Sequence, residues 1–304
     1  MKRREFLIKS AGTGIGLTAA AAFGRIPVMA APQGSAYDMA AVLGGMPDVM
    51  FDKAITALGG MSQFVKKGQR VVLKPNIGWD VPPERGANTN PLLVKRIVEH
   101  CIRAGAKEVL VFDNTCDTWS KCYKTSGIES YVKKAGGKIV PGNTEGYYQE
   151  VTIDKGKRLT SAKVHELVLE ADVFINVPVL KNHDSAKLTI SMKNLMGVVW
   201  DRRFWHRNDL HQCIADFATF HRKPDLVVVD AYNVMMKNGP RGVSRNDVVN
   251  MKAQIVTTDM VAADAAAAKM FGAEPATIPY IRLAAEAGAG TMDLQKLKIS
   301  RIKV

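Results

Sequence analysis

The sequence predicts an α/β fold, in which a mostly parallel sheet is flanked by helices in Rossmann-like layers. Short apolar runs alternate with stretches of helical periodicity, and the connections between them are only a few residues long. The run Val173–Val177 is nearly continuous in apolar character, as is typical of a strand covered on both faces. Polar residues follow several of these runs, and ligands of open parallel sheets bind outside the carboxyl ends of strands.

Capping residues locate several of the predicted helices. Thr89 or Asn90 can cap a helix whose first position is Pro91, and Asp259 is placed to cap an alanine-rich helix. Strands are predicted at residues 37–43, 69–73, 107–112, 138–140, 173–177, 225–229, 253–256 and 294–302. Helices are predicted at residues 47–58, 91–104, 127–135, 211–220, 259–271 and 278–287, with a hairpin insert within residues 141–160.

The stretch 171–200 carries the densest signal for chemistry. Pro178 ends the first strand, and a polar turn with Lys181 and His183 follows. A helix is then predicted to begin at Asp184 or Ser185. Its apolar face is formed by residues at helical spacing, namely Leu188, Met192, Leu195 and Val199.

The first thirty residues predict export. Arg3 and Arg4 precede a weakly apolar run that is too short to span a membrane, and Ala30 can precede a cleavage site. We therefore expect residues 1–30 to be a twin-arginine signal, with the twin-arginine translocase as a transient partner. The alternative is an ordinary secretory signal. Residues 31–304 are expected to form an α/β domain, as one unit or as two closely joined lobes, in the periplasm or otherwise outside the cytoplasm, with no membrane span.

Charge and cysteine spacing narrow the classes of function. The net charge is +13, but an exported protein rarely meets nucleic acid, so an acidic small-molecule ligand is the preferred interpretation. The four cysteines form no CxxC pair, which excludes an iron–sulfur motif and a zinc ribbon in this chain. Cys116 and Cys122 could form a disulfide in an oxidising compartment. No dinucleotide-binding, P-loop or serine-hydrolase motif is present.

A set of short motifs occurs in a specific order along residues 71–288. They are Lys74-Pro75-Asn76, Thr89-Asn90-Pro91, Asp113, Pro178 through His183, Leu188-Thr189, Lys193 through Gly197, Asp230, Gly239-Pro240 and Asp259 through Asp264. In this order they resemble the family catalogued as domain of unknown function 362. Asn182 stands where that family more often has Thr, and the ferredoxin-type module of many members is absent. The resemblance implies no particular activity.

Lys74, Lys181 and Lys193 all lie at or just after predicted strand ends, where helix N-termini add positive potential. Together they could bind a carboxylate, phosphate or sulfate, and Lys181 and Lys193 are candidate catalytic residues. The alternative is three solvated lysines. Asn76 and Asn194 are candidate cofactor-binding residues beside Lys74.

Gly239 is the remaining cofactor-binding candidate. The segment Gly239-Pro240-Arg241-Gly242 could offer backbone N–H groups to an anion, or it could be a plain turn.

His183 is the candidate acid/base, since an unperturbed imidazole titrates near neutral pH, and it is equally a candidate metal ligand. His206, Asp230 and Asp264 could complete a site for a transition metal, with His211 nearby in sequence. The alternative for the histidines is a structural or surface role.

The sequence thus predicts an exported protein that binds a small anionic ligand, with or without a metal, at the strand carboxyl ends. It could act on that ligand as an enzyme. The alternative is a non-catalytic periplasmic binding or redox-accessory protein, in which the basic and aromatic residues from Arg202 to Arg207 would matter most.

Overall fold

A ten-stranded mixed sheet forms the centre of the computed structural model, which describes residues 35–304. The predicted export signal lies outside the described residues. The strands are β1 (Met39–Leu43), β2 (Arg70–Pro75), β3 (Glu108–Val111), β4 (Lys138–Ile139), β5 (Tyr148–Thr152), β6 (Ser161–His165), β7 (Val173–Val177), β8 (Val179–His183), β9 (Lys187–Thr189), β10 (Leu226–Met235), β11 (Val248–Thr257) and β12 (Ile299–Lys303). The helices are α1 (Pro47–Ala57), α2 (Pro91–Arg103), α3 (Trp119–Thr125), α4 (Ile128–Lys134), α5 (Glu166–Glu170), α6 (Ser191–Asn194), α7 (Arg202–Arg207), α8 (Leu210–Ala218), α9 (Met260–Phe271) and α10 (Pro279–Glu286).

The strand order is β12-β1-β11-β10-β7-β2-β3-β4, with β8 paired to both β10 and β9. The run from β10 to β4 is parallel throughout, whereas β11 is antiparallel to both of its neighbours. Strands β5 and β6 form a separate antiparallel hairpin where an insert was predicted. The α/β fold with a mostly parallel sheet is therefore confirmed.

The sheet is covered on both faces, as the continuous apolar strands predict. Alternate residues of one strand belong to different cores: Val72 packs on one side, and Val71 and Leu73 on the other. The side of Val72 is covered by helices that include α8, α9 and α10, and the opposite side by helices that include α1, α2 and α4. This two-sided burial holds the carboxyl ends of the parallel strands along one edge.

The predicted helix caps are present. Asn90 accepts the backbone N–H of Leu92 at 3.0 Å, and Pro91 occupies the first position of α2. Asp259 accepts the N–H groups of two first-turn residues of α9, at 2.8 and 3.0 Å. Local side-chain chemistry therefore determines where these helices begin.

The helix predicted to start at Asp184 or Ser185 is wrong. The chain continues past Pro178 as β8, turns back in the β8–β9 hairpin and becomes helical only at Ser191. Two tertiary contacts override the local periodicity: β8 pairs with β10, and the carboxylate of Asp264 accepts the N–H of Ser191 at 2.7 Å. The apolar spacing that resembles one helix is shared among β9, α6 and the turn after it.

Smaller differences also reflect the tertiary structure. The segment after Trp200 forms the short helix α7, capped by Asp201, and neither α7 nor α3 was predicted. Strands β10 and β11 are each ten residues long and stay paired with each other to Met235 and Val248, where β10 also pairs with β8. Across residues 35–304, no helix has the length and apolar character needed to cross a membrane.

Candidate functional site

A buried ion pair joins the ends of two neighbouring parallel strands. The amine of Lys74, on β2, lies 3.1 Å from Oδ1 of Asp113, which follows β3. The two residues are 1% and 3% exposed. Burial lowers the pKa of Lys74 and raises the pKa of Asp113, and each charge offsets this effect on the other. The second Asp113 oxygen accepts the N–H of Ile77 at 2.7 Å, which fixes the carboxylate.

Gly197 lies directly against this ion pair. A Cβ atom at that position would come within 1.9 Å of Asp113 Oδ1 and 2.6 Å of Lys74 Nζ. No other residue type fits there without separating the pair. Gly197, in the turn after α6, therefore makes room for the site.

A chain of asparagine side chains connects the site. Asn194 accepts from Lys74 Nζ at 2.8 Å through its side-chain oxygen and at 2.6 Å through its backbone carbonyl. The same side-chain oxygen accepts from Asn76, and the Asn194 amide donates to Asn176 at 2.8 Å. Asn176 pairs with Lys74 across neighbouring strands and donates to Ser191. Neutral amides thus position the lysine without cancelling its charge.

Lys181 projects from β8 into the same region and is 1% exposed. Its amine donates to the carbonyl oxygen of Ala87 at 2.5 Å and lies 3.4 Å from Oδ1 of Asn76. Both acceptors are uncharged. Burial lowers the pKa of Lys181 to about 7. At neutral pH this amine therefore exists in both protonation states.

The amine of Lys193 makes no hydrogen bond or ion pair with any residue of the described chain, 35–304. Burial lowers the pKa of Lys193 to about 8. Repulsion from Arg202 and Lys74 adds to this effect, whereas attraction to Cys116 and Asp113 opposes it. Arg202 is held by the carbonyl oxygens of Asn114 and Thr115, each at 2.7 Å. Lys193 is thus a cation beside other cations, with no anion of its own in this part of the protein.

His183 lies at the end of β8 and is 7% exposed. Burial, followed by repulsion from Lys193 and Lys181, lowers the pKa of His183 to about 2. Its Nδ1 lies 3.3 Å from the backbone nitrogen of Ala186, which can only donate. The neutral ring therefore carries its proton on Nε2. This arrangement favours His183 as a hydrogen-bond donor over a metal ligand or base acting through Nε2.

The two aspartates proposed as metal ligands bind backbone N–H groups instead. Asp230 accepts from Asn90 at 2.6 Å and from Tyr232 at 3.0 Å, and burial raises its pKa to about 6. Asp264 accepts the backbone N–H groups of Ser191 and Met192. Burial raises the pKa of Asp264 well above the usual range.

His206 does lie near His183, with 6.4 Å between the ring centroids. Within residues 35–304, however, no three His, Cys, Asp or Glu side chains come together as a metal site would require. A transition metal therefore stays a prediction from the sequence.

The possible disulfide between Cys116 and Cys122 is absent from the structure, in which both residues are free thiols.

Gly239 lies where the loop after β10 comes close to β8. Its N–H donates to the side-chain oxygen of Asn182 at 2.9 Å, and an added Cβ would lie 1.9 Å from the Asn182 carbonyl oxygen. The N–H that was expected to meet an anion thus holds the loop after β10 against the β8–β9 hairpin. Its cofactor-binding role stays a prediction.

The structure brings Lys74, Asn76, Lys181, Lys193 and Asn194 together, as the sequence predicts. Sequence reasoning missed other members of this group. Asn176 carried a usable signal, since it is a polar residue inside an otherwise apolar buried strand. Asn114 and Cys116, which contact Arg202 at 2.7 and 3.5 Å, carried none, because their loop meets the site only in the folded chain. Arg202 was singled out only for the alternative, non-catalytic function. The group has the chemistry to bind an anion and to exchange a proton with it.

A family model described as Domain of unknown function (DUF362) matches residues 71–269. A thylakoid-associated protein of Synechocystis sp. is 28% identical over 230 residues, which cover 73% of this chain and 69% of that protein.

Two solved structures are similar to this chain at lower sequence identity. The lactate racemase apoprotein of Thermoanaerobacterium thermosaccharolyticum gives a TM-score of 0.44 at 13% identity, over 73% of this chain and 54% of that one. A protein from Thermotoga maritima gives 0.39 at 12% identity, over 80% of this chain and 60% of that one. The chain thus spans little more than half the length of these structural relatives.

We predict that Gly197→Ala separates the Lys74–Asp113 pair and destabilises the protein by about 3–5 kcal/mol, because each charge would lose its buried partner. Urea denaturation of both proteins measures the change. Gly146→Ala is the matched control, since a Cβ at Gly146 meets nothing within 4 Å. Equal stability of Gly197→Ala and the wild type would show that the site tolerates a side chain there.

Proposed function

The chain belongs to the DUF362 family, described only as a domain of unknown function, and from that premise we propose that it binds a small anion at the carboxyl ends of β2, β3 and β8. The anion is a carboxylate, phosphate or sulfate group. Lys193 and Lys181 provide the charge, while Lys74 stays paired with Asp113.

The unpaired amine of Lys193 is the observation that carries this proposal. A partly buried cation without a counterion is costly, and the neighbouring Lys74, Lys181 and Arg202 raise that cost further. The carboxylate of Asp113 already forms its ion pair with Lys74. A bound anion would supply the missing negative charge.

His183 supports the same proposal. With its proton on Nε2 and a strongly lowered pKa, this ring donates a hydrogen bond without adding charge. Lys181, with a pKa of about 7, is suited to giving or taking a proton at a bound ligand. The arrangement therefore supports proton transfer beside a carboxylate as the enzymatic form of this function.

We also propose that the protein acts outside the cytoplasm, after export by the twin-arginine translocase. The support for this proposal is the Arg3-Arg4 signal of residues 1–30.

We expect Lys193→Met to weaken sulfate binding by about tenfold or more, because a charge-assisted hydrogen bond is worth roughly 1.5–3 kcal/mol. Titration calorimetry with sulfate measures the affinity. The thermal midpoint should stay the same or rise, since methionine replaces an unpaired buried charge. Lys133→Met is the control, as Lys133 is exposed and paired with Glu129. Unchanged affinity in Lys193→Met would contradict the proposal.

The affinity for sulfate should fall as the pH rises. The protonated lysines bind the anion, so affinity is greatest below the pKa of Lys181, about 7, and declines as Lys181 and then Lys193, at about 8, lose their protons. Sulfate is the suitable probe, because its own charge is constant over this range. Calorimetry between roughly pH 6 and pH 9 tests the sign, and an affinity that rises with pH would oppose it.

Export requires the arginine pair. Replacing Arg3 and Arg4 together by lysine should hold the precursor in the cytoplasm of a bacterium with a twin-arginine translocase, because that route recognises the pair itself. Cell fractionation and the size of the product report the outcome, with Lys9→Arg as the control. Normal export of the double variant would exclude this route.

A further inference from the structure

Beside the cations lies a cleft that is much larger than a small anion. Its volume is about 770 Å³, and it is an open cleft lined by the β5–β6 hairpin on one side and by residues 199–205 on the other. Cavities of this size commonly hold whole organic ligands. Resting on the proposed function, we propose that the bound anion is the head group of an organic molecule whose uncharged, aromatic or apolar body lies in this cleft.

Two residues connect the cleft to the cations. Asn114 and Arg202 both line the cleft, and the Arg202 guanidinium donates to the Asn114 carbonyl at 2.7 Å. Arg202 also acts electrostatically on Lys74, Asp113 and Lys193. Arg202 therefore lies between the cleft and the proposed anion site, and we place the head group on the lysine side of Arg202 and the body of the ligand on the other.

The cleft offers aromatic surface. Trp200 is fixed through its backbone N–H, which donates to the Lys163 carbonyl at 2.9 Å, and its ring packs on Tyr148 at 5.4 Å between centroids. Phe204 is 39% exposed, whereas the next residue, Trp205, is buried in the core at 1%. Helix α7 is thus anchored by one aromatic ring and presents the other at the cleft. Such fixed, accessible rings suit a flat or apolar ligand body.

The charges around the cleft balance. The acidic residues Glu145, Glu150 and Asp201 stand against the basic residues Lys163, Arg202 and Arg203, and Glu145 pairs with Lys163. The group of Lys74, Lys181 and Lys193 has a clear excess of positive charge by contrast. A second anionic group in the cleft would gain little, so the body of the ligand is uncharged.

A pair of monoanions tests the inference. We expect the wild-type protein to bind phenyl sulfate about tenfold more tightly than methyl sulfate, because burying a phenyl ring contributes roughly 1.5–3 kcal/mol. Trp200→Ala should bind both esters with the affinity that the wild type shows for methyl sulfate. Phe204→Ala should reduce the preference as well, and it keeps the fold intact, since Phe204 is exposed. Calorimetry gives all the affinities, and Trp119→Phe, which lies outside the cleft, is the control.

The outcomes separate this inference from the proposed function. Equal affinities for the two esters in the wild type, with binding still lost in Lys193→Met, would overturn the inference and leave anion binding in place. A preference that survives in both Trp200→Ala and Phe204→Ala would also overturn it, because the ring would then lie elsewhere. Binding of neither ester, nor of sulfate, would refute the proposed function and the inference together.

Discussion

The buried ion pair between Lys74 and Asp113 is the constraint on which the rest of the site depends. Charges removed from water are tolerated only with close, well-oriented partners, so the surrounding segments must hold both groups in place. Asn194 provides two acceptors for the lysine, and the backbone at Ile77 donates to the carboxylate. The turn after α6 must leave space, which is why it has glycine at position 197.

The parallel sheet makes this arrangement possible. Strands β2, β3 and β7 run in the same direction, so residues at their carboxyl ends meet although they are far apart in sequence. The passage of the chain from β7 to β8 at Pro178 extends the site further. The carbonyl oxygen of Pro178 accepts the N–H of Asp230 at 2.8 Å, and the chain continues as β8 beside β10. This step brings Lys181 and His183 to the edge where the ion pair lies.

Neutral partners determine the chemical character of the site. The side chains of Asn76, Asn176 and Asn194 orient their neighbours but neutralise no charge. Burial lowers the pKa values of Lys181 and Lys193 to about 7 and about 8. Because these amides carry no charge, they leave the positive charge of Lys181 and Lys193 unneutralised.

The sequence by itself determined the fold class, the ends of α2 and α9, and the position of Lys74 at the carboxyl end of a strand. These follow from local signals, namely apolar runs, capping residues and polar strand ends. Only the tertiary structure decided that residues 184–190 form a hairpin rather than a helix, because the β8–β10 pairing outweighs apolar spacing. It also decided that Asp264 receives two backbone N–H groups, since those donors are brought from a segment more than seventy residues away.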